Sequence, residues 1–550
     1  RRRKGRPVLV LTRSAGLPIG FLSAFIVWMS VISGPTLANG GLEDVQRVLN
    51  TPERLSLIVE KRRREISAYY GSEDASLLWL GADRAGAFLD LLRNAHLHGL
   101  RPEDYPRAYL EAELKSVDEG LNPSEIAWIE LLFTGHFLDF ANDLRAGRVT
   151  PRVLYPGAYM PVHTINGTDA LKRLGAASQL PDFVSIWEPQ DDTYRLLKTH
   201  LARLYAVKDG GGFTYMDIKE ELSPGTQSDQ VPNLRRRMFE DGLVGEGTGG
   251  ELFDKRLAFA VAQSKHRYVL PVSSEVTPRL VRALNIPIER RIEQVSNAME
   301  RIRWIPPEFS RVKLFINKGE NQFVFSESGR VVMEGQAFAN CPDRNHANTA
   351  TAIEAVTFHP TWQVPLEFLG NELLPRLKDD PAEVEGVGYY LRRRGADVPL
   401  SSLPWGQATP RAINRFKDEF NLYLPASDEN PLGSYAFRLR QEQKLALFHL
   451  DSAPEDGVFC NPYLPANAFG IVDGLALLEQ VIEPRVFPAE GIENRLARGD
   501  TITFPARSGL MAVATHQSVW LQHQGAIRFG HDPYLEDARL TAALSGRPKP

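Results

Sequence analysis

The chain has 550 residues, 43% of them hydrophobic and 24% charged, a balance that argues against disorder and allows two or three packed cores. A formal net charge of -4 provides no basic field, so nucleic acid is excluded as a partner. With two cysteines and no CxxC, HExxH or Cys/His cluster, neither a metal centre nor a cofactor has support.

Arg1-Arg2-Arg3-Lys4 and Arg6 precede an apolar run from Leu17 to Ile32, which leaves through Ser33-Gly34-Pro35-Thr36-Leu37-Ala38. A basic, then apolar, then small-residue order predicts residues 1-40 to be a secretory signal or, if uncleaved, an inner-membrane anchor. No later stretch approaches the roughly 18 uninterrupted apolar residues of a membrane helix, so the remainder is expected to fold outside the cytoplasm, in the periplasm. That compartment permits a bridge between Cys341 and Cys460, which their spacing does not prove.

Residues 41-245 carry apolar positions at helical spacing, as at Ile126, Ile129, Leu132, Phe133 and Phe137, and predict a helical scaffold. Gly157 to Pro161 and Asp209 to Gly212 mark loops, and Gly245 to Gly250 a boundary. A small helical unit follows over 250-290, with Thr277 as an N-cap before Pro278. From Arg311 the period changes to two: Val312, Leu314 and Ile316 alternate with polar neighbours, then Phe323-Val324-Phe325 and Val331-Val332-Met333 follow. The expected fold class is α+β, with a mixed-sheet domain over 300-485 and a C-terminal extension over 486-550.

Gly99-Leu100-Arg101-Pro102-Glu103-Asp104-Tyr105 and Asp143-Leu144-Arg145-Ala146-Gly147-Arg148 resemble the N-terminal scaffold of the family of large multidomain L,D-transpeptidases that modify peptidoglycan. The 254-285 unit is similar to its peptidoglycan-binding-like insert, and the stretch from Ala283 to Trp304 follows as in that family. Phe358-His359-Pro360-Thr361-Trp362-Gln363-Val364-Pro365 resembles the entry to a capping subdomain, placed at about 365-428, and Asn430-Pro431-Leu432-Gly433 the return from it. Ile492 to Asp500 and Val519 to Tyr534 look like the family's C-terminal tail.

Acyl transfer from a stem peptide needs a nucleophile, a base and donors for the oxyanion. The resemblance implies a strand histidine followed by a Ser-His-Gly-Cys-x-Arg turn leading into a helix. Phe448-His449-Leu450-Asp451-Ser452 matches the histidine segment, and Asp473 to Glu479 the helix. Counting back from that helix puts Ala468, 19 residues after His449, at the cysteine position, and Pro465 to Gly470 lack the rest of the motif. Alanine has no nucleophilic atom, and losing the nucleophile in comparable machinery costs on the order of 10⁶ in turnover.

His449 is then either a packed relict base or an active one, and Cys460 either a relocated nucleophile, a bridged cysteine or a buried thiol. By the resemblance, Trp362, Asn430 and Gly433 line the substrate groove; core packing and turn geometry are the alternatives. Arg392-Arg393-Arg394 is either a solvated face or a contact for acidic stem-peptide carboxylates or anionic glycan. Three functions follow: a pseudoenzyme that binds murein or scaffolds cell-wall synthesis proteins, a transpeptidase working through Cys460, and a structural envelope protein.

Overall fold

The computed structural model describes residues 37-546 except 52-54, 81-83, 118-119, 178-179, 181-183, 220, 246-249, 308-310, 342-347, 410, 414-418, 442-444, 473, 489 and 522-524. The apolar run of the expected signal or anchor lies outside the described residues. No described helix is long and apolar enough to cross a membrane.

The scaffold is built around the 24-residue helix Pro123-Ala146. Its start is fixed locally: Asn122 caps the amides of Ser124 and Glu125, the Glu125 carboxylate returns to the Asn122 amide, and Pro123 occupies the first turn. The helix buries Phe133, Phe137 and Phe140 against Trp79 and Phe88, each burial contributing roughly 1.5-3 kcal/mol. Glu130 is buried in this core because donors surround it: Tyr70 Oη at 2.8 Å, the Trp79 amide at 3.2 Å and the Leu78 amide. An acid at that depth is tolerated only when so paired.

The apolar core changes hands between Trp187 and Tyr194. Helix Asp192-Asp209 packs with helices Val231-Glu240, Lys255-Arg267, Pro278-Leu284 and Ile288-Arg303, together with Val519 and Phe529. The expected boundary at Gly245 to Gly250 falls largely on residues 246-249, outside the described residues, and the expected 250-290 unit shares one core with the long helices flanking it. Thr277 does cap the amide of Leu280 ahead of Pro278.

Helix Ile288-Arg303 joins the parts through buried charges. Arg301 reaches Asp537 at 2.5 Å, Arg303 donates to Tyr194 Oη at 2.7 Å, and Glu300 accepts the amides of Arg148 and Val149 at 2.5 and 2.8 Å. Breaking one such pair leaves the other charge stranded, which ties the helices to the loops around them.

Among the described residues fifteen strands follow: β1 (Val312-Asn317), β2 (Gln322-Glu327), β3 (Arg330-Ala339), β4 (Thr349-Phe358), β5 (Trp362-Gln363), β6 (Tyr390-Arg393), β7 (Ala396-Val398), β8 (Asn421-Leu424), β9 (Tyr435-Leu439), β10 (Ala446-Leu450), β11 (Ala468-Val472), β12 (Ile502-Pro505), β13 (Leu510-Thr515), β14 (Val519-Leu521) and β15 (Ile527-Phe529). The main sheet runs β12-β4-β13-β1-β2-β3-β11-β10-β9 and closes on itself through β4 and β9. The expectation that 486-550 is an extension is corrected here. β13 lies between β4 and β1 and pairs in parallel with all of β1, so the sheet is incomplete without the C-terminal residues.

Strands β5 to β8 form a small separate sheet which, with helices Leu374-Asp379 and Pro381-Val387, encloses its own core of Trp362, Leu373, Leu391, Leu400 and Trp405. This cap leaves the main sheet after β4 and returns at β9.

Candidate functional site

β10 and β11 lie side by side and parallel, with Ala446 opposite Ala468, Phe448 opposite Gly470 and His449 opposite Ile471. Side chains alternate along a strand, so this register decides which residues share a face. Leu447, Phe469 and Ile471 belong to the interior core of the sheet, and His449 projects with them beside Tyr435, whose ring centre is 4.8 Å away. Phe448 and Ala468 pack with Leu464 on the other face.

Ala468 therefore does not face His449. The expected nucleophile position is corrected on two counts: Ala468 opens a strand rather than a turn into a helix, and it projects away from the histidine. Because the pairing offset is 22 residues, only an even separation keeps two residues on one face, and 19 is odd. The positions sharing a face with His449 are Phe469 and Ile471, both fully buried. The helix begins later, at Leu475.

Cys460 is bonded to Cys341 in a disulfide across 119 residues. Its loop is clamped further by Asn340, which donates to Asn461 O at 2.9 Å and accepts the Asn461 amide at 2.7 Å, while the Cys341 amide donates to Phe459 O at 2.7 Å. Phe459 packs on Phe448 with ring centres 5.8 Å apart, which holds this loop against the face opposite His449. Cys460 as a relocated nucleophile is corrected by both facts, since its sulfur is spent in a bond and its loop lies on the wrong side.

The His449 side chain is 18% exposed, with Asp451 Oδ1 3.2 Å from Nδ1 and the Ser434 amide 3.4 Å from the same nitrogen. Gly433 adopts φ +62°, and a Cβ there would come within 2.5 Å of the His449 carbonyl oxygen. Gly433 is thus a close-approach glycine that seats the return from the cap on β10. Asn430 is buried, donating through Nδ2 to the carbonyls of Pro360, Leu424 and Pro425 at 2.8, 3.1 and 3.0 Å and accepting the Leu432 amide at 2.9 Å. It clasps the two ends of the cap together. Trp362 is 5% exposed and packs edge-on against Phe368 inside the cap. The groove-lining roles expected of Trp362 and Asn430 give way to these structural ones, because their polar atoms and ring faces are already committed.

Arg392 and Arg393 pair with Asp397 and Glu419 at 2.8 and 2.7 Å on the cap surface. Among the described residues, His516, Asp532 and Asp537 bring possible metal-ligand atoms within 4.8 Å of one another. Asp537 is held by Arg301 and Ser518, and Asp532 accepts the amides of Glu536 and Asp537 at 2.8 and 2.9 Å, so the cluster serves to anchor helix Glu536-Ser545.

Tyr435, Phe469, Ile471 and Asn340 are the site neighbours that sequence reasoning missed. Their roles follow from strand register and loop docking, for which the linear sequence carries no signal.

The architecture defines an α+β protein whose helical scaffold carries a closed mixed sheet with a cap inserted beside a strand histidine. Residues 64-201 match the Scaffold domain family. Over 248 residues the chain is 19% identical to the Haemophilus influenzae protein named "Putative L,D-transpeptidase", covering 44% of this chain and 48% of that one. The chain thus spans about half the length of the curated relative it matches. A crystal structure of an L,D-transpeptidase from Xylanimonas cellulosilytica overlaps 54% of this chain and 98% of its own at 10% identity, with a TM-score of 0.15, too low to bear on the fold. The chain is a distant relative of the L,D-transpeptidases.

Proposed function

We propose that this protein binds peptidoglycan in the periplasm as a non-catalytic relative of the L,D-transpeptidases, holding murein or wall-synthesis proteins in place. The observation that carries this reading is the chemistry of the face His449 shares. Phe469 and Ile471 are hydrocarbons, and the chain's two cysteine sulfurs are joined to each other. A base without a nucleophile cannot form the acyl-enzyme on which transfer depends.

Support for murein binding comes from the helical insert. Arg279, Arg282 and Arg291 line one concave surface with Tyr268, Phe529 and His531. The exposed guanidinium groups of Arg279 and Arg282 suit the carboxylates of a stem peptide. The basic and apolar segment at 1-40 fits export to the periplasm, whether cleaved or kept as an inner-membrane tether.

The test is sedimentation of the purified protein with isolated sacculi, together with mass analysis of digested muropeptides. The protein should co-sediment and produce no new link between meso-diaminopimelate residues. New links would sink the non-catalytic reading, and their loss in Cys460→Ser would return the activity to that cysteine. Failure to sediment would sink murein binding in favour of a purely structural envelope role.

A further inference from the structure

A cleft of about 270 Å³ is lined by the scaffold and by Trp304, far in sequence from His449. Its walls come from helix Pro123-Ala146 (His136, Asp139, Asn142, Asp143), the loop at Gly147-Arg148 and Trp304 at the end of helix Ile288-Arg303. The loop is fixed in place. Gly147 has φ +81°, and a Cβ there would lie 2.7 Å from Glu300 Oε1, the oxygen that accepts the next two amides.

The charged groups of the cleft are already spent on one another. Asp139 is held by Lys61 and Arg62 at 2.8 and 3.1 Å, Arg148 by Asp104 and by Asp143 at 3.5 Å, and Asp143 also accepts from Tyr105 Oη at 3.0 Å. The Arg148 Nε-H faces Asp143 at 3.5 Å without a hydrogen bond, its charge paired, and three neutral groups are left over beside it. Trp304 is 2% exposed, yet among the described residues its indole N-H has no acceptor, and the buried Asn142 Oδ1 has no donor. His136 is buried as well, and burial brings its pKa down to about 4 against a smaller opposing effect of Asp139, so at neutral pH the ring offers one donor and one acceptor without charge. A buried indole N-H without an acceptor is costly and rare, which makes it a sign of a missing partner.

We infer that this cleft binds an uncharged sugar bearing hydroxyl and amide groups, of the N-acetylhexosamine type. Unmet donors and acceptors without unmet charge select a neutral polyhydroxylated ligand over an ionic one. Val162, which is exposed, and Ile58 supply apolar surface against which the C-H face of a pyranose packs. The volume lies near the lower end for small-molecule sites, roughly 300 Å³, which suits one ring with its substituent. This site is separate from the arginine-lined surface of the insert and stands whether or not that surface binds stem peptides.

The experiment is saturation-transfer NMR of free N-acetylglucosamine with the full chain, repeated with Asn142→Ala and Trp304→Phe. Saturable transfer to the acetyl methyl and ring protons is expected, with affinity weakened about tenfold in each variant, the loss that accompanies one missing hydrogen bond at a buried site. Asn142→Ala lies on a helix that favours alanine, so it keeps the test valid if Trp304→Phe disturbs packing. Absence of transfer at about 10 mM sugar, an affinity weaker than about -3 kcal/mol, overturns the inference. So does unchanged binding in Asn142→Ala, or tighter binding of glucuronate than of the neutral sugar. Sacculus sedimentation reads the earlier proposal independently, so the two can fail separately.

Discussion

His449 and Ala468 project from opposite faces of one parallel strand pair, because Ala446 sits beside Ala468 and Ile471 beside His449. Restoring a sulfur at the alanine therefore does not rebuild a thiol and base. Ala468→Cys is expected to cost about 1-3 kcal/mol by overpacking a fully buried position. It should show no acyl adduct after incubation with a carbapenem, read by intact mass. An adduct mapped to residue 468 would overturn the register.

Cys341 and Cys460 close a loop of 119 residues beside β11. Removing the pair by double serine substitution should lower unfolding stability by about 2-4 kcal/mol, measured from urea transitions. Reducing agent should lower the parent by a similar amount and leave the double variant unchanged. If reduction instead switches on carbapenem acylation at Cys460, the bridge guards a nucleophile and the geometric argument fails.

Gly433 tolerates no side chain, since φ is +62° and a Cβ would press on the backbone of β10. Gly433→Ala should destabilise by about 1-3 kcal/mol from backbone strain, with the clash adding to it. Thermal unfolding reads this directly, and a melting temperature equal to the parent's would show that the cap's return is not seated on His449.

Glu188 links the scaffold to the second helical core, accepting from Lys198 at 2.8 Å and meeting His98 at 2.6 Å. Burial alone would raise its pKa, but the hydrogen bonds and charge of His98 and Lys198 prevail and bring it down to about 2. A carboxyl depressed in the folded state stabilises fully above its unfolded pKa, near 4.5, and loses that contribution as pH falls towards about 2. Up to about 3 kcal/mol is at stake. Stability measured from pH 6 down to pH 2 should fall more steeply in the parent than in Glu188→Gln, and parallel curves would remove Glu188 from the account.

The sequence by itself determined the α+β class and the place where helices give way to strands. Apolar spacing of 3.6 or 2 is local chemistry: Ile126 to Phe137 and Val312 to Ile316 can each bury one face only as helix and strand respectively. It also determined that Pro465 to Gly470 hold no cysteine, because composition needs no coordinates. Tertiary structure alone decided that His449 faces Ile471 rather than Ala468, that β13 completes the sheet from the far end of the chain, and that Cys460 is bonded to Cys341. Register, strand order and bridge pairing are long-range choices, fixed by which faces can be buried together once the whole chain has packed, and a shift of one residue reverses them.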